Sequence, residues 1–409
     1  MVDITSKAAA AIVSTFTLKP HERYLQSFEE IAATAAMGAV NSFESNSRIR
    51  LSRKDFDGIF LSSATASNVI GREGQHSWET IFASNFGINI DIHAFSKGSE
   101  ALHHCITELK AGEVDFVILA GCDKRSDEQH VGDISNKSID PNLRLWNWSW
   151  QNVYATIASK YLYESMTSHE DLMAIAINDK YNASNKKGKS LKDFLSLKSK
   201  KLRRLSYDPL TNNDYALTTY DGAAALILCS PEKAFEYVQN PVFITSSASM
   251  TSPSEFWTQD NPLSYPGLEK AVRKAYQSAK ISPKNIDVVS VDTKVTIVGP
   301  IALEGLGLIK YPAIKKISEH INSLEPNYSE SHIKYKNDFG KEFIINPNGS
   351  TYEIGNIPGV SGLYRLINLS KQLNGTAKNQ VKPEPSIGLL QEQSASGMKQ
   401  MVHILEVER

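Results

Sequence analysis

The feature that most constrains this chain is an alternation of helix and strand patterns that occurs twice along it. In the first half, the apolar runs 57–62 and 114–121 each border helical patterns, of which 97–111 is the clearest. In the second half, the helical pattern 267–279 leads into the apolar run 286–292 in the same order. Uniformly apolar strands that alternate with helices predict a helix-covered, mainly parallel sheet. We therefore expect an α/β protein with two similar halves.

A length of 409 residues accommodates two halves, because one hydrophobic core rarely serves more than about 250–300 residues. We place the first half at residues 1–235 and the second at 236–409. The region from about 123 to 221 departs from the alternation, because it carries an aromatic stretch from Trp146 to Tyr154 and a basic run. It is interpreted as a loop domain inserted in the first half, with the aromatic side chains as its core.

Composition excludes several classes of protein. The chain has 44 basic and 45 acidic residues, so its net charge of -1 provides no general attraction to nucleic acid. It has no apolar run of the roughly 20 residues that span a bilayer, and no signal peptide is predicted. Its three cysteines, Cys105, Cys122 and Cys229, lack metal-site spacing and are odd in number. No metal site, no membrane association and a reducing, cytoplasmic location are expected.

A series of short motifs extends from about residue 55 to the C-terminus. The motifs include 178–185 (NDKYNASN), 208–210 (DPL), 221–225 (DGAAA), 303–308 (LEGLGL), 346–349 (NPNG), 359–362 (GVSG) and 372–375 (QLNG). Their order and spacing are those of thiolases of the sterol-carrier-protein type, which the chain therefore resembles. The resemblance implies a thiolase-like fold, in which two duplicated βαβαβαββ halves stack in five layers with an inserted loop domain.

The resemblance also locates four positions that carry catalytic groups in thiolases, and none holds such a group here. The nucleophilic cysteine stands three residues before the glycine that opens a helix, whose N-terminus lowers the thiol pKa. With Gly98 as that glycine, the position is Phe95, whose ring is expected near the acyl pocket. The imidazole position in a Gly-His-Pro turn is Asn356, the C-terminal loop position is Ser394, and the histidine position after the second-half strand is Asp292.

Three other side chains near these positions could supply chemistry. Ser96 follows the nucleophile position, Tyr352 precedes Asn356, and Lys294 lies in the segment that begins at Asp292. Their alternative interpretations are a weakly nucleophilic hydroxyl that points elsewhere, a packed tyrosine and a surface lysine. The choice between these interpretations needs a structure.

The basic run at residues 186–204 contains nine lysines and arginines against one acidic residue. It is either a solvated surface or an anion site. In the second case the phosphates of coenzyme A would be bound by Lys200, Lys201, Arg203 and Arg204.

Two hypotheses about function follow from the resemblance. In the first, the protein lacks the thiolase nucleophile and imidazole. It is then the non-catalytic subunit of an acyl-CoA or acyl-carrier complex that forms or breaks C–C bonds, as a homodimer or a heteromer with an active thiolase-like paralogue. In the second, it is a repurposed aldolase, lyase or acyltransferase on CoA or carrier-protein thioesters, with an OB-fold/zinc-ribbon partner as in some thiolase-like aldolases. Neither hypothesis requires a resident cofactor, and a CoA thioester is the candidate ligand.

Overall fold

The computed structural model describes residues 4–66, 78–127, 136, 139–184, 190–199, 207–216, 218–253, 255, 261 and 263–408. These residues form one mixed sheet with the strand order β3-β2-β4-β5-β1-β6-β11-β10-β7-β9-β8. The strands are β1 (Ala10–Thr17), β2 (Gly58–Ser62), β3 (Asp91–Phe95), β4 (Phe116–Asp123), β5 (Gly222–Cys229), β6 (Val242–Thr251), β7 (Val288–Ser290), β8 (Lys334–Lys336), β9 (Glu342–Ile345), β10 (Ile387–Gln393) and β11 (Lys399–Glu406).

The two ends of this sheet repeat a single arrangement of strands. The order β3-β2-β4-β5-β1 in the first half corresponds to β9-β7-β10-β11-β6 in the second. In each half the first three strands are parallel, and the remaining two pair antiparallel. The equivalent strands β1 and β6 join the halves by antiparallel pairing. The duplicated fold expected from the sequence is confirmed, whereas the division at 235/236 stays a prediction.

The helices occupy the connections that the sequence pattern assigns to them. Gly112 ends the helix at Ala111 in the left-handed conformation, at φ 75°, which glycine adopts without strain. The helices are α1 (Ile4–Lys7), α2 (Phe28–Ser47), α3 (Trp78–Phe86), α4 (Gly98–Ala111), α5 (Pro141–Leu145), α6 (Trp150–Ser165), α7 (His169–Ala183), α8 (Leu191–Ser199), α9 (Ala234–Tyr237), α10 (Pro266–Ala279), α11 (Val298–Gly305), α12 (Ala313–Ser323), α13 (Thr351–Ile354) and α14 (Ser361–Leu373).

The two halves of the sheet and three layers of helices stack in five layers around three hydrophobic cores. The central core packs both faces of the middle helix layer. Helices α2 and α3 cover the outer face of the first half, and α10, α11 and α12 cover that of the second. Helices α4 and α14 lie between the halves and contact strands of both. Alternation along β4 shows how one strand serves two cores, because Val117 and Leu119 face the central helices while Ile118 and Ala120 face the outer ones.

The inserted region between β4 and β5 packs against the second half. Helix α7 lies along α12, and the buried side chains of α6 and α7 join the core of the second half. Trp150 and Tyr154 are buried there as expected, but Trp146 is 71% exposed, so the expected aromatic core is only part of the stretch. Within the described ranges, no helix has the length and apolar character to cross a bilayer.

Candidate active site

The N-termini of the two central helices meet at one point between the halves. Gly98 begins α4, and Gly362 is the second residue of α14. A Cβ on Gly98 would lie 2.6 Å from Leu363 Cγ, and a Cβ on Gly362 would overlap the Glu392 carboxylate. Glycine at both positions therefore allows the helix ends to approach each other, so that their free N–H groups face a common space.

A small polar cavity lies at this meeting point. Its volume is about 20 Å³, which holds about one water molecule. Lys97 directly precedes α4 and Ser361 begins α14, so both halves contribute to the cavity. The lining residues are Lys97, Trp150, Ala216, Asp292, Lys294, Thr351, Asn356, Pro358, Ser361 and Ala395. Lys97, Lys294, Asn356 and Ala395 are each half-buried, so the cavity reaches solvent.

Asp292 supplies a buried carboxylate to the cavity. It follows β7, and its Oδ1 accepts the backbone N–H of Lys294 at 3.1 Å. Its own N–H donates to Gln391 Oε1 at 3.0 Å, which ties the segment to β10. Burial alone would raise the pKa of Asp292, but the positive charges of Lys294, Arg365 and Lys97 lower it below its usual value. Asp292 is thus an anion in the cavity at neutral pH.

Lys294 provides an amine beside this carboxylate. Its Nζ donates to the Ser394 carbonyl oxygen at 2.9 Å and lies 5.8 Å from the centre of the Tyr154 ring. Burial lowers the pKa of Lys294 to about 8, although the Asp292 charge opposes this effect. Lys294 is therefore not the surface lysine of the alternative interpretation, and a substantial fraction of its amine is neutral near pH 8.

Glu392 is a carboxylate at the site that sequence reasoning missed. The side chain is fully buried; Oε2 accepts the Ser99 N–H at 3.2 Å, and Oε1 accepts the Ser361 hydroxyl at 3.1 Å. One carboxylate therefore contacts the first turns of both α4 and α14, where an anion is favourable. The available signal was an acidic residue between two glutamines, Gln391 and Gln393, soon after the apolar pair Leu389 and Leu390.

Two sequence-predicted residues point away from the cavity. The Phe95 ring stacks on His104, with ring centres 4.7 Å apart and planes 18° apart, and does not line the cavity. The ring therefore lies outside this cavity, and its expected position near an acyl pocket stays a prediction. The Ser96 hydroxyl donates to the Glu100 carboxylate at 3.2 Å on the exposed side of α4.

The C-terminal loop contributes backbone rather than a reactive side chain. The Ser394 hydroxyl lies 3.2 Å from that of Ser396 and accepts the Lys399 N–H at 3.1 Å, so it is engaged within its own turn. Its carbonyl oxygen holds Lys294, and the next residue, Ala395, lines the cavity.

Asn356 occupies the predicted imidazole position and lines the cavity, held by a hydrogen bond from its N–H to the Thr218 carbonyl at 2.8 Å. Tyr352 lies in α13, and its side chain is outside the described residues. The proposed phosphate contacts are also outside the described residues: Lys200, Lys201, Arg203 and Arg204.

Among the residues that the structure describes, those that line the cavity include neither a thiol nor an imidazole. Cys105 lies on the core side of α4, fully buried, and burial raises the pKa of its thiol well above the usual value. In the ranges that the structure describes, no group of three or more His, Cys, Asp or Glu residues is placed to hold a metal ion.

A buried polar network supports the cavity from α7. Asp179 Oδ2 accepts the Thr293 hydroxyl at 2.5 Å, and Oδ1 accepts the side-chain amides of Asn178 and Asn346 at 3.0 Å each. Since Thr293 lies between Asp292 and Lys294, this network fixes the segment that carries both charges. Burial raises the pKa of Asp179 to about 7 despite these hydrogen bonds.

We expect Asp179→Asn to change the pH dependence of stability. A carboxyl whose folded pKa is raised contributes stability below its unfolded pKa of about 4, and loses it as pH rises towards 7. The asparagine side chain does not titrate, and its amide N–H can donate to the hydroxyl oxygen of Thr293. In urea unfolding, the free energy of unfolding of the variant relative to that of the wild type should rise by on the order of 2 kcal/mol between pH 5 and pH 8. Asp91→Asn, at an exposed carboxylate, is the control. Parallel pH profiles of wild type and Asp179→Asn would contradict the expectation.

Comparison with known proteins agrees with this architecture. No protein-family model matches the chain. The acetyl-CoA acetyltransferase of Methanocaldococcus jannaschii is 25% identical over 98% of this chain and 99% of that protein. Sterol carrier protein 2 of Bos taurus is 24% identical over 72% of this chain and 54% of that protein.

A solved structure, the Ltp2-ChsH2(DUF35) aldolase, superposes with a TM-score of 0.76 over 98% of each chain at 17% identity. At that identity the likeness establishes the fold only. The duplicated strand order and the sequence similarity agree: the chain is similar to proteins of the thiolase superfamily, including those of the sterol-carrier-protein type.

Proposed function

We propose that this protein is a thiolase-fold subunit of an acyl-CoA or acyl-carrier complex that forms or breaks C–C bonds, and that it forms no acyl-enzyme. The observation that carries the proposal is the lining of the cavity at the two helix N-termini. The described residues of this lining include Lys97, Asp292, Lys294 and Asn356, but neither a thiol nor an imidazole. Acyl transfer through cysteine requires a thiolate at such a helix end and a group that moves a proton.

A partner chain is part of this proposal. Strand β3 lies at the end of the sheet and pairs, among the described residues, with β2 alone. Ile92, Ala94 and Phe95 are only half-buried along it, and an apolar edge of this kind favours pairing with another chain. The similar solved structure carries a two-component name, Ltp2-ChsH2(DUF35) aldolase, which supports a heteromer. The candidate partners are an active thiolase-like paralogue and an OB-fold/zinc-ribbon protein.

A second candidate is that the chain itself catalyses a reaction other than thiolysis, as a repurposed aldolase or lyase. The favouring observation is that the cavity retains a charged pair, Asp292 and Lys294, with the amine pKa lowered to about 8. Perturbed ionisable groups in a cavity are typical of reactive sites. The aldolase in the name of the similar structure also supports this reading.

Native mass spectrometry of the protein purified from its own cells tests the proposal. We expect a dimer or a larger heteromer, because the β3 edge would otherwise remain exposed. The same sample, incubated with acetyl-CoA, should show no acyl adduct by intact mass. Repeating the native measurement after a wash in high salt controls for partners held by non-specific charge. A monomer at micromolar concentration would contradict the assembly, and an acylated residue would contradict the absence of an acyl-enzyme.

A further inference from the structure

We propose that Lys294 is an imine-forming amine, which condenses with a ketone or aldehyde carbonyl presented at the cavity between α4 and α14. This inference deepens the second candidate function, a repurposed aldolase or lyase. It rests on that proposal for one point, namely that the substrate is an acyl thioester. The class of substrate would be a thioester with a second carbonyl, such as a 3-oxoacyl group. An iminium at that carbonyl accepts the electron pair of a carbanion on the neighbouring α carbon as an enamine, so a C–C bond from the α carbon to its next substituent can be broken or formed.

The position of the amine is fixed by contacts from different parts of the fold. The Ser394 carbonyl accepts from Nζ at 2.9 Å, and the Tyr154 ring lies 5.8 Å away on the inserted domain. The backbone N–H of Lys294 is held by Asp292, and the adjacent Thr293 is held by Asp179. Such contacts orient the amine into the cavity and leave it two further positions, of which one can hold the lone pair when the amine is neutral.

The charges that face Lys294 allow both protonation states to be populated. Burial and the cations Lys97 and Arg365 disfavour the ammonium form, whereas Asp292 and Glu392 favour it. The resulting pKa of about 8 means that roughly a quarter of the amine is neutral at pH 7.5, against about 0.1% of an ordinary lysine. The same anions would stabilise the cationic iminium once it has formed.

The size of the cavity suits this step. A volume of about 20 Å³ admits a carbonyl group in place of one water molecule, but not an entire acyl chain. The carbonyl end would therefore enter, while the remainder of the ligand stays towards the half-buried rim at Asn356 and Ala395.

The chemical step balances without a further reagent. The neutral Nζ attacks the carbonyl carbon; the C–N bond forms, and the carbonyl π electrons move to oxygen. Transfer of a proton from nitrogen to that oxygen gives a neutral carbinolamine. Its hydroxyl takes a second proton, from solvent, and leaves as water, and the nitrogen lone pair forms the C=N bond of the iminium. Hydrolysis reverses the sequence and regenerates the amine.

Lys97 is the matched control, because it lines the same cavity. Its Nζ donates to the Pro358 carbonyl oxygen at 2.7 Å, so it also has a single fixed acceptor. Unlike Lys294, Lys97 lies directly before the first residue of α4. If mere location in the cavity made a lysine reactive, both residues would react alike.

The test uses two probes on the full chain at pH 8. Acetylacetone is a small diketone that forms a stable enaminone with a reactive amine, and acetoacetyl-CoA with cyanoborohydride traps an imine on a larger ligand. Peptide mapping of the wild-type protein should place the adduct on Lys294, at least about tenfold above Lys97 and the exposed lysines, because both protonation states of the Lys294 amine are populated. Labelling should rise between pH 7 and pH 9.

Lys294→Arg should abolish the adduct, and Lys110→Arg, at an exposed lysine in the last turn of α4, should leave it unchanged. An acetylacetone adduct on Lys294 without one from acetoacetyl-CoA would support the imine proposal and count against the thioester substrate of the proposed function. Labelling spread evenly over exposed lysines, or an adduct that persists in Lys294→Arg, would overturn the proposal. Mapping on the wild type needs no variant, so a misfolded Lys294→Arg protein leaves the test intact.

Discussion

A thiol installed at position 95 should be alkylated at least about tenfold faster at neutral pH when Glu392 is also replaced by glutamine. Phe95→Cys places a thiol three residues before Gly98, where the N-terminus of α4 favours the thiolate. The Glu392 carboxylate contacts Ser99 in the first turn of the same helix and opposes that effect. Removing a nearby like charge lowers a pKa by about one unit or more, which raises the thiolate fraction about tenfold.

The background of this measurement should be low, because Cys105, Cys122 and Cys229 are all fully buried. The rate of reaction with iodoacetamide as a function of pH gives the thiol pKa directly. Phe95→Cys with Glu100→Gln is the matched control, since Glu100 lies on the same helix but its carboxylate pairs with Lys399. Equal rates in both double variants would refute a specific effect of Glu392. Adding Asn356→His then tests whether acetyl-CoA acylates the new thiol.

The largest loss of stability is expected from Asp123→Ala. Oδ1 of this fully buried carboxylate accepts the N–H groups of Ala64 and Thr65 at 2.8 and 3.1 Å, and the hydroxyl of Ser63 at 3.0 Å. Oδ2 accepts the Gly359 N–H at 2.5 Å. The side chain thus ties the end of β2 to the loop that precedes α14. Alanine leaves these donors buried without an acceptor, which costs about 3 kcal/mol or more.

Chemical denaturation of Asp123→Ala and Asp123→Asn separates the hydrogen bonds from the charge. Asparagine keeps one carbonyl oxygen for the residues after β2 and loses the acceptor for Gly359. Asp123→Asn should therefore lower the free energy of unfolding clearly less than Asp123→Ala does. If Asp123→Ala lowers the free energy of unfolding by less than about 1 kcal/mol, or if both variants lower it equally, the hydrogen bonds of Asp123 do not hold the loop before α14 in place.

Local patterns predicted the fold better than they predicted the site. Helix α4 was predicted to within one residue and strand β4 to within two at each end, because amphipathic spacing and an apolar run are visible in single segments. Strand β1 (Ala10–Thr17) was not predicted, since its residues show no clear alternation and its start lies within the alanines 8–11. Its burial comes from pairing with β5 and β6, which are more than 200 residues away.

The site depends on contacts that single segments do not contain. Asp292, Lys294 and Asn356 line the cavity and were singled out from the sequence, because Asp292 and Asn356 stand at motif positions of the family and Lys294 lies in the segment that begins at Asp292. Lys97 and Glu392 were missed, because their roles arise only where two helices from different halves meet. The orientation of Phe95 also depends on a distant residue, since its ring stacks on His104 of α4 and does not face the cavity.

The antiparallel pairing of β1 with its equivalent β6 has a consequence for ancestry. Equivalent strands that pair antiparallel are related by a two-fold axis, so an ancestral half could have built the same sheet with a second copy of itself. Such a dimer would have had two identical helix ends at a symmetric site. Fusion into one chain let the two ends accumulate different substitutions. Since Gly98 and Gly362 hold the ends together without taking part in chemistry, the reacting groups around them can be exchanged while the contact between the halves persists.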